Sequence, residues 1–239
     1  MRVERLQKVL SKAGITSRRK AEKLILEGKI KVNHQVVSKL GIKVDPEKDE
    51  ILVDHKKLSL EKKVYLLLYK PKNYITTLSD NFKRPTVMDL IKDIKERVYP
   101  IGRLDYDTAG ILLLTNNGDF SYQLTHPKFK VEKTYLVKFK NFVLDEKIKS
   151  LRRGVNLSDG LTLPTKVKVL QKKETHTWIS ITLTEGRNRQ IKRMGEAIGH
   201  KVTSLKRIAY GCLRLGNLKE GQYRELTSTE ISKLLKETK

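Results

Sequence analysis

The sequence holds a single cysteine, Cys212, among 239 residues. One thiol excludes an internal disulfide and every zinc arrangement built on several cysteines. A free cysteine usually packs as a small buried hydrophobe, which is the expectation for Cys212. Long apolar runs are missing too. No stretch approaches the roughly 20 consecutive apolar residues that cross a bilayer, and the opening segment MRVERLQKVLSKAG lacks the unbroken apolar centre of a signal peptide. The chain is therefore expected to work in the cytoplasm, away from the membrane. Also absent are a Walker A loop, GxGxxG, GxSxG and HExxH. The five histidines, His34, His55, His126, His176 and His200, are scattered without ligand spacing, so no metal site is expected.

Acidic residues are the last scarcity: 27 Asp plus Glu stand against 51 Lys plus Arg, for a net charge of +24. A protein this cationic attracts polyanions at long range and repels its own copies, which favours a monomer. Membrane binding usually gathers basic residues on one amphipathic helix or beside a lipidation signal. Here they run through the whole chain, so the expected partner is nucleic acid.

The cations are densest at the start, where residues 1 to 43 carry twelve Lys or Arg and three acids before the sign reverses at Asp45, Glu47, Asp49, Glu50 and Asp54. Leu6, Val9 and Leu10 repeat at helical spacing up to Gly14. Ser17 can then cap a second helix bearing Ala21, Leu24 and Ile25 until Gly28. Ile30-Lys31-Val32 and Val36-Val37 around Asn33-His34 suggest a hairpin. Arg18, Arg19, Lys20 and Lys23 open the second helix away from its apolar stripe. So small a fold has little core, and a helix face of cations makes most sense against phosphates. These residues, with Arg5, Lys8 and Lys29, make the stretch resemble the S4 RNA-binding domain.

Residues 54 to 63 are polar and lysine-rich and read as a linker. Beyond them, strand patterns at Val64 to Tyr69, Gly110 to Leu114, Thr134 to Phe139, Lys166 to Leu170, Trp178 to Leu183 and Lys201 to Leu205 alternate irregularly with helices near 86–91, 119–125, 145–152 and 190–198. That is an α+β arrangement rather than a βαβ repeat. Thr227 to Glu230 fit a capping box that opens a last helix to Lys236. The division expected is 1–60, RNA-binding module and linker, and 61–239, a larger domain.

Two polar stretches could carry chemistry. Gly102-Arg103-Leu104-Asp105-Tyr106-Asp107-Thr108-Ala109-Gly110 lies between apolar Tyr99-Pro100-Ile101 and Ile111 to Leu114. Read by composition alone it is a tight turn, with its acids bonded to local amides. The second stretch, Glu185-Gly186-Arg187-Asn188-Arg189-Gln190-Ile191-Lys192-Arg193-Met194, opens a segment with seven cations and one acid between 187 and 207. Ordinary exposed helices mix both signs. On a helix from Gln190, Ile191 and Met194 would share a buried face with Ile198, and Lys192 could lean into a neighbouring cleft.

With Glu132-Lys133-Thr134-Tyr135 between them, and behind the S4-like module, these stretches resemble the RsuA/RluB-type ribosomal RNA pseudouridine synthases over essentially the whole chain. The resemblance implies a catalytic domain with a mixed, mainly antiparallel sheet and a central cleft. It implies isomerisation of uridine to pseudouridine in ribosomal RNA without metal or cofactor, and it leans towards the branch acting on large-subunit 23S RNA rather than small-subunit 16S RNA. Asp105 would be the nucleophile, attacking the ribose or the base, with Lys192 as the cation beside it. Tyr135 would stack on the extruded base and assist removal of the C5 proton. Leu205 would close the pocket and Arg103 would steady the flipped nucleotide, with Arg187, Arg189 and Arg193 adding RNA contacts. Asn73 replaces the glycine common after the Lys-Pro pair, and asparagine is well suited to a left-handed backbone.

Two other classes compete. A non-catalytic RNA-binding or ribosome-assembly factor would use the same charges, with Asp105 a turn residue. A metal-dependent nuclease would hold Mg²⁺ between Asp105 and Asp107.

Overall fold

A computed structural model describes residues 3–238. The chain divides into two compact units. The first runs through Val64 and takes in two short returns, Ile94–Val98 and Asn116–Gly118. In it, β1 (Glu4–Arg5) leads into α1 (Leu6–Lys12) and α2 (Arg18–Leu26). The Ser17 hydroxyl caps α2 by accepting from the Lys20 amide at 3.3 Å. Strands β2 (Ile30–Val32) and β3 (Gln35–Val37) form the expected hairpin. Asn33 and His34 both take positive φ, 49° and 66°, as the tightest two-residue hairpin turn requires. β4 (Lys43–Val44) pairs with β1, while β5 (Ile51–Val53) and β6 (Lys56–Lys57) complete a sheet ordered β3-β2-β5-β6. Leu6, Val9, Leu10, Ala21, Ile25, Ile30 and Ile51 fill the core.

β6 corrects the reading of 54–63 as a linker. Asp54 and His55 (φ 44° and 67°) turn the chain back, and Lys56 and Lys57 pair with β5. The segment looks like linker because an edge strand blunts its free side with lysine.

The second unit is built on a nine-stranded sheet. Its strands in chain order are β7 (Tyr65–Lys70), β8 (Tyr99–Ile101), β9 (Ala109–Thr115) and β10 (Lys133–Lys140), then, after the small hairpin β11 (Asn156–Leu157) and β12 (Gly160–Leu161), β13 (Lys166–Lys173), β14 (His176–Leu183), β15 (Val202–Tyr210), β16 (Leu213–Arg214) and β17 (Tyr223–Glu225). The spatial order is β13-β14-β10-β15-β9-β7-β17, with β16 beside β15 and β8 beside β9. Every pair is antiparallel except β15 with β9. The sheet is thus mixed and mainly antiparallel in an α+β fold, as the motifs implied. Helices α3 (Gly118–Thr125), α4 (Asp145–Arg153), α5 (Gln190–Ala197) and α6 (Ser228–Lys236) pack around it, and the 86–91 helix is a short 3-10 turn, Val87–Leu90. Thr227 and Glu230 form the expected capping box, although α6 starts at Ser228 rather than Glu230.

Two apolar cores lie on either side of the one parallel seam. Val137, Phe139, Ile179, Ile191, Met194 and Leu205 belong to one, and Leu67, Ile111, Leu113, Phe120 and Tyr210 to the other. β15 feeds both and runs nine residues, longer than the sequence pattern suggested. Cys212 is only half-buried at the edge of the second core, not fully inside it.

Candidate active site

The turn 102–108 enters the seam directly before β9. Gly102 (φ 71°) begins it, and Gly110 (φ 115°) lies opposite Arg207 of β15. A Cβ at 110 would sit 2.2 Å from the Arg207 carbonyl oxygen, so only glycine lets the two strands approach so closely. Buried hydrogen bonds fix the turn. The Lys70 ammonium donates to the carbonyls of Pro71 (3.0 Å), Asp105 (3.1 Å) and Thr108 (2.9 Å). The Thr76 hydroxyl donates to the Leu104 carbonyl (2.7 Å) and accepts from the Leu104 amide (3.3 Å). The Asn73 amide reaches the Tyr106 carbonyl at 2.7 Å, with Asn73 in the left-handed conformation (φ 66°) that asparagine tolerates.

Held this way, Asp105 lines a cleft of about 440 Å³ together with Arg103, Leu104, Thr108, Tyr135, Leu183, Arg187, Arg189, Gln190 and Leu205. Lys192, in the first turn of α5 where Ile191 and Met194 are buried as expected, does not itself line the cleft but reaches Asp105. Its ammonium lies 3.4 Å from an Asp105 carboxylate oxygen and makes a closer ion pair with Asp107. Lys192 is nearly buried, Asp105 about one-third exposed and Asp107 mostly exposed. The lysine is thus shared between two acids rather than dedicated to Asp105. Burial pushes the Asp107 carboxyl up, but the hydrogen bond and charge of Lys192 outweigh it and hold the group below its usual range. With an ammonium on both acids, the position a bridging Mg²⁺ would need is occupied by a protein cation.

Tyr135 stands on β10 opposite Arg207 of β15. Arg207 is buried; its Nε donates to the Ile111 carbonyl at 2.7 Å and its Nη1 to the Tyr135 hydroxyl at 3.4 Å. The remaining Nη2 is buried without a partner among the described residues. Arg207 and Lys70 were not singled out by sequence reasoning. The signal for Arg207 was strand alternation: Leu205 points inward, so residue 207 must follow it. Lys70 stood only as the residue that ends an apolar run. Burial pulls the Lys70 ammonium down to about 8, against the attraction of Asp107 and Asp105. Burial beside Arg207 does the same to Lys133.

The remaining cations separate by structure. Arg103 and Arg189 are exposed at the cleft, Arg189 in a left-handed conformation (φ 48°) at the start of α5. Arg187, expected to meet RNA, spends its guanidinium on Glu185 (3.1 Å) and on the carbonyls of Gly160 (2.9 Å) and Leu161 (2.7 Å). Arg193 pairs with Asp159 at 2.9 Å. These two clamp the β11–β12 hairpin, a long-range partnership that a basic run does not reveal. In the first unit Arg5, Arg18, Arg19, Lys20, Lys23 and Lys29 are exposed and Lys8 is half-buried; Lys29 pairs with Glu27 (2.8 Å) and Lys8 lies 3.6 Å from Glu4. Among the described residues, no three or more His, Cys, Asp or Glu side chains gather to hold a metal ion, and no helix is long and apolar enough to cross a membrane.

The chain is similar to known proteins over nearly its whole length. Residues 64–197 match the RNA pseudouridylate synthase family and residues 4–59 match the S4 domain. The ribosomal large subunit pseudouridine synthase B of Bacillus subtilis (strain 168) is 50% identical over 234 residues, spanning 97% of this chain and 96% of the relative. An uncharacterized RNA pseudouridine synthase of Aquifex aeolicus (strain VF5) is 46% identical over 233 residues, spanning 97% and 94%. A crystal structure of a pseudouridylate synthase superposes with a TM-score of 0.69 at 32% identity, covering 96% of this chain and 99% of that one. On these matches over nearly its whole length, and with a lysine-paired carboxylate and a tyrosine lining one cleft, the chain belongs to the RNA pseudouridylate synthase family.

Proposed function

We propose that the protein converts a specific uridine of large-subunit ribosomal RNA to pseudouridine, with Asp105 as nucleophile. The observation that carries this reading is the Asp105 carboxylate at the mouth of the cleft, 3.4 Å from the Lys192 ammonium and sharing its pocket with Tyr135 and Leu205. The 50% identity to an enzyme named for the large subunit supports the choice of RNA. The exposed cations of α2 and its flanks, with residues 1–60 as the RNA-binding part and 61–239 as the catalytic part, supply the electrostatic grip.

In this reading the uridine leaves its stack and enters the cleft, at a cost of a few kcal/mol. Stacking on Tyr135, worth about 1–3 kcal/mol per base, offsets that cost, and Leu205 closes the other side. Arg103 and Arg189 meet the backbone of the flipped nucleotide. Asp105 adds to the ribose or the base, the C1′–N1 bond breaks, the uracil turns, C1′–C5 forms, and the bond to Asp105 breaks to return the free carboxylate. The C5 proton passes to solvent and N1 gains one, so the product is an isomer of the uridine. Lys192 aims and balances Asp105. Arg207 steadies the Tyr135 hydroxyl, the group placed to assist the C5 proton. The chain acts as a monomer, its charge opposing self-association.

Asp105→Asn is the test. It should bind ribosomal RNA as the wild type does and form no pseudouridine in a tritium-release assay. Turnover by the Asn variant would sink the nucleophile. Pseudouridine mapping in cells lacking the protein should reveal one missing modification in large-subunit RNA.

A further inference from the structure

The loop between Ile75 and Thr86 displays the most exposed apolar side chain of the described residues, Phe82, at 79%. Exposure alone says little, since single surface apolar residues are ordinary. What sets this one apart is the effort spent on holding it. One carboxylate, Asp80, accepts from the Phe82 amide (3.0 Å), the Arg84 amide (3.1 Å) and the Arg84 guanidinium at both Nε (3.2 Å) and Nη2 (2.7 Å). Lys83 between them takes a left-handed conformation (φ 56°). The clamped guanidinium lies 5.1 Å from the centre of the phenyl ring. These hydrogen bonds organise the loop around a ring that contributes nothing to the core.

Its placement relates it to the reaction. The loop's base is closed by the Ile75–Thr86 bridge and pinned through Thr76 to Leu104, the neighbour of Asp105. The surroundings are cationic. From 70 to 86 there are four Lys or Arg and one acid, Asp80, which is already spent on the clamp. Lys72, Lys83, Arg84 and Arg103 are all exposed.

We propose that Phe82, braced by Arg84 and Asp80, is a stacking platform for an unpaired RNA base beside the flipped uridine. Charge decides the occupant. A ring set among exposed cations suits a base whose flanking phosphates meet Lys72, Lys83 and Arg103, whereas an apolar protein surface would leave those cations buried and unpaired. The platform extends the proposed reaction by a second foothold on the RNA outside the Asp105 cleft.

The test uses the full chain and protein-free large-subunit ribosomal RNA. Phe82→Ala should unfold at the wild-type temperature, because the ring is exposed, yet bind the RNA about 5- to 150-fold more weakly, the range for removal of one base stack. Phe82→Trp should keep wild-type affinity, and its fluorescence beyond that of Trp178 should be quenched by RNA. Affinity and single-turnover rate of Phe82→Ala within twofold of wild type would overturn the proposal. So would Phe82→Trp emission that changes with protein concentration rather than with RNA, which would mark association between copies. If the wild type forms no pseudouridine in this RNA, the choice of substrate fails, while quenching by RNA still reports the stack.

Discussion

Single residues decide whether Asp105 can work. The proposed nucleophile must be aimed at the nucleotide, and Lys192 is the cation beside it, though it divides itself between Asp105 and Asp107. Lys192→Met should leave the fold largely intact, because methionine fills similar space. Single-turnover pseudouridine formation should fall by roughly 10²-fold, the usual cost of a misplaced reacting group; an unchanged rate would refute the pairing. Lys70 acts one step further back, holding the backbone of residues 105 and 108 from beneath. Its pKa lies near 8 in the folded protein and near 10.5 when free. Between those values the unfolded chain binds more protons than the folded one, so this group makes the protein more stable as pH rises. The urea stability of the wild type relative to Lys70→Met should therefore increase between about pH 7.5 and 9.5. A difference that stays flat would mean the lysine is not held charged in a desolvated place.

At the scale of elements, the parallel seam between β9 and β15 does most of the positioning. It brings the turn carrying Asp105 alongside the strand carrying Leu205 and Arg207, and β10 on the far side of β15 adds Tyr135. The seam depends on a bare backbone at 110. Gly110→Ala would place a methyl group against the Arg207 carbonyl at a φ that alanine avoids. It should cost roughly 2–4 kcal/mol, measured by calorimetry, and lower activity with stability; wild-type melting would show that the strands have room to part. The elements themselves were largely legible. Ser17, Thr227 and Glu230 are local capping signals, and Asn33-His34 is a local turn signal, so their outcome depends on neighbours a few residues away. β6 was missed because it is two residues long and both of its lysines are exposed, which leaves no alternation to read.

Across the whole molecule, charge is the governing quantity. The surplus of 24 positive charges should make RNA affinity steeply dependent on salt. Replacing Arg18, Arg19, Lys20 and Lys23 together by alanine should reduce the slope of log affinity against log salt by about 3, at roughly 0.7–0.9 for each phosphate no longer neutralised. Replacing Arg187 and Arg193 should instead loosen the β11–β12 hairpin and leave the slope nearly unchanged, since their guanidiniums are bound within the protein. Filter binding from about 50 to 200 mM salt separates the two. Composition and ordered motifs by themselves determined the anionic partner, the two-part organisation and the residues around which chemistry could form, because charge and short-range spacing survive without a fold. Only the tertiary structure decided which cations stay exposed and which are spent inside, and that Lys192 bridges to an acid 85 residues away while Arg207 bonds a carbonyl 96 residues away. Those partners meet through strand order and burial, and neither is written in the spacing of neighbouring residues.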